Sequence, residues 1–214
     1  MNQDEKNFCT LYIVRHGETE GNVQDIIVGQ SDSPLTEQGV GQAHTVANEL
    51  QHIAFDAIFS SDLPRAQRTA EIIKLDREIA VQTSKLLREH TYGHYEGKPW
   101  KNLEKELSEE IKKREMLSEE AWWHHRLTND METFEESATR FITQLREIAV
   151  AYPGKTVLVV SHGGCMRRFL LKLGYATREE LPVGALKNGG FLKVLTNGID
   201  FILKEAKGVE KKII

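Results

Sequence analysis

The sequence of 214 residues predicts an α/β fold, specifically a three-layer α/β/α sandwich with a mostly parallel central sheet and a short helical cap. Short apolar runs of strand length alternate with longer segments of helical periodicity, and the connections between them are short. Residues 100–129 interrupt this alternation with a heavily charged, helix-prone stretch. The length suits one large domain, so we expect residues 1–214 to form a single domain with 100–129 as a helical cap insertion.

Three apolar, partly β-branched runs predict strands, at residues 10–14, 57–59 and 156–161. The last run is apolar throughout, which is typical of a parallel strand covered on both faces. Near the end of the chain, residues 191–196 and 201–204 flank Asn197-Gly198. This arrangement predicts a terminal hairpin or a pair of edge strands.

Helical periodicity fills the segments between the strands. Apolar residues spaced by three and four positions follow Thr36, whose hydroxyl suits a helix N-cap. Pro64 suits the first turn of a second helix. Thr133 with Glu136 three residues later forms a capping-box pattern. It precedes the longest predicted helix, whose apolar face consists of Phe134, Ala138, Phe141, Leu145 and Ile148.

The predicted cap contains no glycine or proline and ends in Trp122-Trp123-His124-His125. The two tryptophans either line a substrate pocket from above or pack the cap itself, and the sequence leaves both open. Adjacent helical residues point about 100° apart. Because no Cys or carboxylate cluster of ligand spacing accompanies His124 and His125, we expect no metal site.

Composition excludes several classes of protein. The net charge of −4 gives no basic excess, so we expect neither a nucleic-acid nor a membrane partner. Cys9 and Cys165 lie far apart and predict no disulfide framework; we expect Cys165 to be a small buried thiol. The N-terminus is polar and no apolar run approaches the length of a membrane helix, so a reduced, cytoplasmic location is predicted.

Polar residues follow three of the predicted strands: Arg15-His16-Gly17, Ser60-Ser61-Asp62 and Ser161-His162-Gly163-Gly164. In an open parallel sheet, ligands bind at the carboxyl ends of the strands. Convergence there would bring His16 and His162 together with Arg15 and with Arg65, one turn into the next helix. Guanidinium forks and imidazoles together favour a phosphate dianion. The pattern therefore predicts phosphoryl chemistry without a metal.

Five blocks in order resemble the histidine phosphatase superfamily, which includes the cofactor-dependent phosphoglycerate mutases. The blocks are Arg15-His16-Gly17-Glu18-Thr19, Asp32-Ser33-Pro34-Leu35-Thr36, Ser60-Ser61-Asp62-Leu63-Pro64-Arg65-Ala66, Leu87-Arg88-Glu89 and Ser161-His162-Gly163. The resemblance implies a phosphoglycerate mutase-like fold. It also implies a catalytic set consisting of His16, Glu89, His162, Arg15 and Arg65.

Each of these residues has an implied role. His16 would attack phosphorus as a neutral imidazole, a form that nearby cations favour. Arg15, Arg65 and His162 would hold the phosphoryl oxygens. Glu89 would protonate the leaving oxygen and then deprotonate the attacking water, although Glu96 lies close enough in sequence to compete for that role.

Secondary phosphate contacts would come from Asn22 and from the backbone near Gly29 and Gly163. Arg68, Arg167 and Arg168 fall on predicted helices beyond the site, where we expect solvated faces.

Departures from the mutase pattern favour transfer of the phosphoryl group to water over transfer to a second hydroxyl. Mutases carry a hydroxyl residue where this chain has Val28, a basic residue where it has His90, and an asparagine where it has Gly164. Their paired, carboxylate-gripping arginines have no evident counterpart within 100–129. We therefore predict a metal-independent phosphatase of small phosphorylated metabolites that uses no cofactor. The alternatives are a cofactor-dependent phosphoglycerate mutase and a catalytically silent phospholigand-binding protein; the oligomeric state, monomer or homodimer, stays open.

Overall fold

A six-stranded sheet organises the protein in a computed structural model that describes residues 7–213. The strands are β1 (Cys9–Arg15), β2 (Ala57–Ser61), β3 (Val81–Ser84), β4 (Thr156–Ser161), β5 (Leu186–Thr196) and β6 (Phe201–Val209), and their order in the sheet is β3-β2-β4-β1-β5-β6. The first four strands of that order are mutually parallel. The last two are antiparallel to their neighbours. The mostly parallel sheet is thus confirmed.

Eight helices accompany the sheet in the described part of the chain: α1 (Glu20–Val23), α2 (Glu37–Glu49), α3 (Pro64–Lys74), α4 (Trp100–Glu106), α5 (Ser108–Glu115), α6 (Glu119–His124), α7 (Phe134–Ala151) and α8 (Gly163–Lys172). The predicted helix starts are confirmed. Thr36 accepts a hydrogen bond from Gly39 N at the start of α2, and Thr133 forms a reciprocal capping box with Glu136 at the start of α7.

Helices cover both faces of the sheet, which explains the uniformly apolar strands. Alternate residues of β1 point to opposite sides, so that Leu11 and Ile13 join one hydrophobic cluster while Tyr12 and Val14 join the other. The first cluster includes residues of α7 and α8, and the second includes residues of α2 and α3. Since β4 alternates in the same way, the two central strands have no polar face.

The structure differs from the sequence prediction at both sides of the sheet. β3 had no sequence prediction, because it has only four residues and Gln82 and Thr83 are exposed. The terminal hairpin is confirmed but is longer than predicted, beginning at Leu186 and ending at Val209. Among residues 7–213, no helix combines the length and apolar composition that a bilayer crossing needs.

The segment 100–129 folds as the three short helices α4, α5 and α6. Trp122 and Trp123 are buried and pack with Ala138 of α7. Their indole nitrogens donate to Glu115 and Glu119. The tryptophans therefore pack the cap onto α7, which decides between the two interpretations that the sequence left open.

Candidate active site

The carboxyl ends of β1 and β4 bring the two predicted histidines together. Arg15 and Ser161 are paired in register at the ends of these strands, and His16 N donates to Ser161 O at 3.0 Å. The strands are adjacent and parallel, so the residues that follow them lie side by side. The ring centroids of His16 and His162 are 5.0 Å apart. The convergence that the sequence predicted is present.

His16 is held as a neutral imidazole with a defined tautomer. Its ring is buried, and Nδ1 lies 2.7 Å from Gly17 O. A carbonyl oxygen only accepts, so Nδ1 carries the proton and Nε2 keeps a lone pair. Burial sets the pKa of His16 well below its usual value, and the Arg65 and Arg15 cations lower it further. These are the properties that a nucleophile toward phosphorus needs.

Arg65 is buried and fixed by two backbone carbonyls. Its Nη1 donates to Ser31 O at 2.8 Å and its Nη2 donates to Gly29 O at 2.6 Å. Burial lowers the pKa of Arg65 to about 10. Its Nε is buried and, within residues 7–213, has no hydrogen-bond partner. One donor of this rigid fork is therefore available to an anion in the cleft.

Arg15 and His162 offer further donors beside Arg65. Arg15 donates through Nη1 to Leu186 O, and its buried Nε has no partner in the described chain. Neither ring nitrogen of the fully buried His162 is hydrogen-bonded to any described residue. Burial and then the Arg65 cation hold the pKa of His162 well below its usual value. Buried polar atoms are rarely left unpaired, so this group of unsatisfied donors indicates a site for an anion.

Glu89 reaches the same cleft from the other edge of the sheet. Its segment follows β3 and a 3₁₀ turn at Lys85–Leu87. One carboxylate oxygen accepts from Gly164 N at 2.8 Å and the other accepts from His90 N at 2.8 Å. A Cβ on Gly164 would lie 2.4 Å from Glu89 Oε1, so a larger residue at this position would shift the carboxylate from the place it has here. The competitor Glu96 instead accepts from Tyr92 N.

The residues predicted as secondary phosphate contacts all line the cleft. Two of them, Gly29 and Asn22, already make hydrogen bonds within the protein. Gly29, at φ +54°, uses its carbonyl to hold Arg65, and a Cβ there would collide with Glu96. A Cβ on Gly163 would lie 3.0 Å from Arg15 Nε. Asn22 is exposed at the rim, where its Oδ1 accepts from Thr19 N at 3.1 Å.

Sequence reasoning missed the residues that position Glu89. Arg140 of α7 donates to Leu86 O at 3.0 Å, to Arg88 O, and to Glu89 O at 2.8 Å. The same guanidinium holds Glu132 through two hydrogen bonds of 2.7 and 2.9 Å. An arginine in a helix that carries several charged residues gives no sequence signal for such a role. Its partners are backbone carbonyls about fifty positions away.

The expectation for Arg167 and Arg168 was wrong. Both are buried, at 8% and 3% exposure, and both line the cleft together with Arg114 of the cap. The first turn of α8 carries Gly164 against Glu89, and Arg168 is four residues later on the same face. The four-residue spacing of Gly164 and Arg168 was therefore the sequence signal that could have placed Arg168 in the cleft. The sequence analysis found no counterpart of the mutases' paired arginines within 100–129; of this segment, the single arginine Arg114 lines the cleft.

Comparisons with known proteins agree with this geometry. The sequence pattern of the histidine phosphatase superfamily (branch 1) matches residues 11–206. The chain is 31% identical over 169 residues to an adenosylcobalamin/alpha-ribazole phosphatase of Escherichia coli (strain K12), covering 76% of this chain and 78% of that protein. It is 37% identical over 174 residues to a probable phosphoglycerate mutase of Yersinia pestis (strain Pestoides F), covering 76% and 75%.

A solved structure extends the likeness to the whole fold. The phosphoglycerate mutase from Bacillus anthracis str. Sterne superposes with a TM-score of 0.83 at 25% identity, covering 97% of this chain and 96% of that one. The chain therefore belongs to the histidine phosphatase superfamily, and its fold is phosphoglycerate mutase-like. Its relatives include both phosphatases and mutases, so membership alone does not choose the reaction.

Proposed function

We propose that this protein is a metal-independent phosphatase that hydrolyses small phosphomonoesters through a phosphohistidine on His16. The observation that carries the proposal is the state of His16. Its Nδ1–H is tied to Gly17 O, so the Nε2 lone pair is free. Unsatisfied donors of Arg15, Arg65 and His162 lie beside it. The phosphatase relatives from Escherichia coli and Bacillus subtilis, at 31% and 32% identity, support the same reaction.

The reaction has two steps. In the first, His16 Nε2 forms a bond to phosphorus while the bond to the ester oxygen breaks, and that oxygen takes a proton from Glu89. In the second, Glu89 removes a proton from water, the water oxygen bonds to phosphorus, and the P–N bond breaks to release inorganic phosphate. Arg15, Arg65 and His162 stabilise the phosphoryl oxygens in both transition states.

The second candidate is a cofactor-dependent phosphoglycerate mutase, in which the phosphohistidine returns its phosphoryl group to a second hydroxyl. The probable mutase of Yersinia pestis, at 37% identity, favours it. Arg114, Arg167 and Arg168 in the cleft also favour it, because they remove one of the arguments that the sequence gave against a mutase. The absence of a hydroxyl side chain at Val28 continues to favour transfer to water.

The deciding experiment compares wild type with His16→Ala on an aryl phosphate and on 3-phosphoglycerate. We expect wild type to release phosphate in the presence of a chelator, to be inhibited by vanadate and to form an acid-labile phosphoenzyme. We expect His16→Ala to lose at least about a thousandfold in kcat. Activity that persists in His16→Ala would overturn the assignment of the nucleophile.

The same assays separate the alternatives. Interconversion of 2- and 3-phosphoglycerate, stimulated by 2,3-bisphosphoglycerate and faster than hydrolysis, would identify a mutase. Tight ligand binding with no phosphoenzyme and no turnover would identify a catalytically silent binding protein.

We further propose that the partner is a small phosphorylated metabolite, with no nucleic acid or membrane involved, and that the protein works in the cytoplasm. Support comes from the net charge of −4 and from Cys9 and Cys165, which are buried free thiols. Burial raises the pKa of both thiols to about 12, which makes them unreactive.

A further inference from the structure

The start of β5 bulges beside the residues that follow β1. The register of β5 against β6 shifts between Leu186 and Phe191, so β5 carries extra residues there. We call residues 187–190 the β5 bulge; within it Gly189, at φ +71°, adopts a left-handed backbone that a side chain would disfavour. Because Phe191 pairs with Val14 and the two strands are antiparallel, the β5 bulge lies next to the end of β1. Bulges in such places commonly re-aim a side chain.

The side chain that the β5 bulge directs toward the candidate site is Asn188. Its Nδ2 donates to His16 O at 3.0 Å and to Asn22 Oδ1 at 3.3 Å. A carbonyl oxygen only accepts, so the atom of Asn188 that faces His16 O must be the nitrogen. The two hydrogens of this amide therefore connect the backbone of the proposed nucleophile to the side chain of Asn22.

The orientation of the Asn22 amide follows from its two donors. Thr19 N, which can only donate, lies 3.1 Å from Asn22 Oδ1. With Asn188 Nδ2 as the second donor, both lone pairs of this oxygen are used inside the protein. The NH2 group of Asn22 is then left for a ligand in the cleft that Asn22 lines. Asn188 thereby sets the direction of a donor without lining the cleft itself.

The residue before the β5 bulge supports the same site. Arg15 donates through Nη1 to Leu186 O. The start of β5 thus holds Arg15 through a backbone carbonyl, and it holds His16 and Asn22 through the side chain of Asn188. These contacts join residues 171, 172 and 166 positions apart. No local sequence pattern reports contacts of that separation, so the support becomes visible only in the folded chain.

We propose that Asn188 is a positioning residue, which orients the Asn22 amide toward the phosphoryl group and holds the backbone of His16 in place. The proposal rests on the proposed phosphatase function and adds a residue on which that site depends. It has two separable consequences. Through Asn22, Asn188 sets the affinity for a tetrahedral dianion, because an N–H that faces a phosphoryl oxygen makes a charge-assisted hydrogen bond. Through His16, it sets the rate at which the phosphoenzyme forms.

Tungstate, a tetrahedral dianion like phosphate, tests the first consequence by calorimetric titration without turnover. We expect Asn188→Ala and Asn22→Ala each to weaken tungstate binding by about tenfold, the value of one charge-assisted hydrogen bond. The double variant should bind within about threefold of Asn22→Ala, because Asn188 then has no amide to orient. A loss of about a hundredfold in the double variant, the product of two independent effects, would overturn the action through Asn22.

Quenched-flow measurement of phosphoenzyme formation from an aryl phosphate tests the second consequence. At saturating substrate, Asn188→Ala should lower the rate by about threefold to tenfold, in the wild-type and in the Asn22→Ala background alike. Lys187→Gln is the matched control, since this exposed neighbour in the β5 bulge pairs through its side chain with Glu210. It should leave both the rate and tungstate binding unchanged.

The two measurements separate this proposal from the reaction itself. If wild type forms no phosphoenzyme, the phosphatase function has failed, and the tungstate titrations still decide the role of Asn188. Asn188→Leu, which fills similar space without a donor, should lose as much affinity as Asn188→Ala. Wild-type affinity in a folded Asn188→Ala or Asn188→Leu protein would overturn the positioning of Asn22. A wild-type rate of phosphoenzyme formation in these variants would overturn the positioning of His16.

Discussion

At the scale of single residues, the site is built from buried groups whose hydrogen-bonding capacity is left unused. His162, Arg15 and Arg65 each keep at least one buried nitrogen without a partner in the described chain. Each such group costs about 1–3 kcal/mol in the free protein. A phosphoryl group that accepts all of these hydrogen bonds relieves the cost at once. In the proposed function, the preference for a phosphate would therefore come from the nitrogens that the protein leaves unpaired.

Arg140 holds the segment that carries Glu89, so in the proposed reaction it would be a positioning residue. Arg140→Met would leave the carbonyls of Leu86, Arg88 and Glu89 without their donor. We expect kcat to fall by about tenfold or more, since the segment that carries Glu89 loses charged hydrogen bonds. Steady-state kinetics over a range of pH measures this effect, because misplacement of the proton donor also changes the pH profile.

Arg146→Met is the matched control for this prediction, since Arg146 is exposed on the same helix α7. It should leave kcat and the pH profile unchanged. Arg140→Lys should recover part of the lost activity, because an ammonium can still donate to one of the carbonyls. Wild-type kcat in a folded Arg140→Met protein would refute the positioning role.

At the scale of elements, α7 joins the sheet to the cap. Its inner face supplies Phe141, Leu145 and Ile148 to the main core, while its first turn supports the cap and the cleft through Phe134. The start of the helix is therefore important to both stability and substrate binding. The capping box of Thr133 and Glu136 fixes that start by two reciprocal hydrogen bonds of 3.1 and 2.7 Å.

Thr133→Ala removes the hydroxyl that accepts from Glu136 N. We expect the free energy of unfolding to fall by about 1 kcal/mol, within the usual range of roughly 0.5–2 kcal/mol for loss of an N-cap. Urea denaturation monitored by circular dichroism measures it. Thr139→Ala, an exposed change further along α7, should cost under about 0.5 kcal/mol. Equal losses in the two variants would contradict the capping role.

At the scale of the whole molecule, three buried histidines make stability depend on pH. Burial, with nearby arginine cations, holds the pKa values of His16, His90 and His162 well below 6.5 in the folded protein. The unfolded chain binds protons at these positions as the pH falls through about 6.5, but the folded chain does not. Acid therefore favours the unfolded state, and stability must decrease below that pH.

We expect the free energy of unfolding to decrease between about pH 7 and pH 5.5, with each histidine contributing up to about 1.4 kcal/mol per pH unit. Urea denaturation at several pH values gives the slope. His90→Gln should reduce the slope by one histidine's share, whereas the exposed His44→Gln should not. Stability that is constant over this range would show that the histidines are not held neutral by the fold.

Much of the fold follows from local patterns in the sequence. The two central strands are predictable because both faces are buried, and helix starts at Thr36 and Thr133 are predictable because caps use side chains within three residues. β3 is not predictable, because a short, half-exposed edge strand has no hydrophobic pattern of its own. Its pairing with β2 nevertheless determines where the segment carrying Glu89 lies.

The sequence by itself determined which residues gather at the candidate site: His16, His162, Arg15 and Arg65 sit at or just beyond strand ends, and parallel strands bring such residues to one edge. Only the tertiary structure decided how Glu89 is held and what lies beyond it. Glu89 meets Gly164 across 75 positions, and Arg114 of α5 lines the same cleft as Arg167 and Arg168 of α8. Contacts of that separation depend on how whole elements pack, and a buried arginine has the same local pattern as a solvated one.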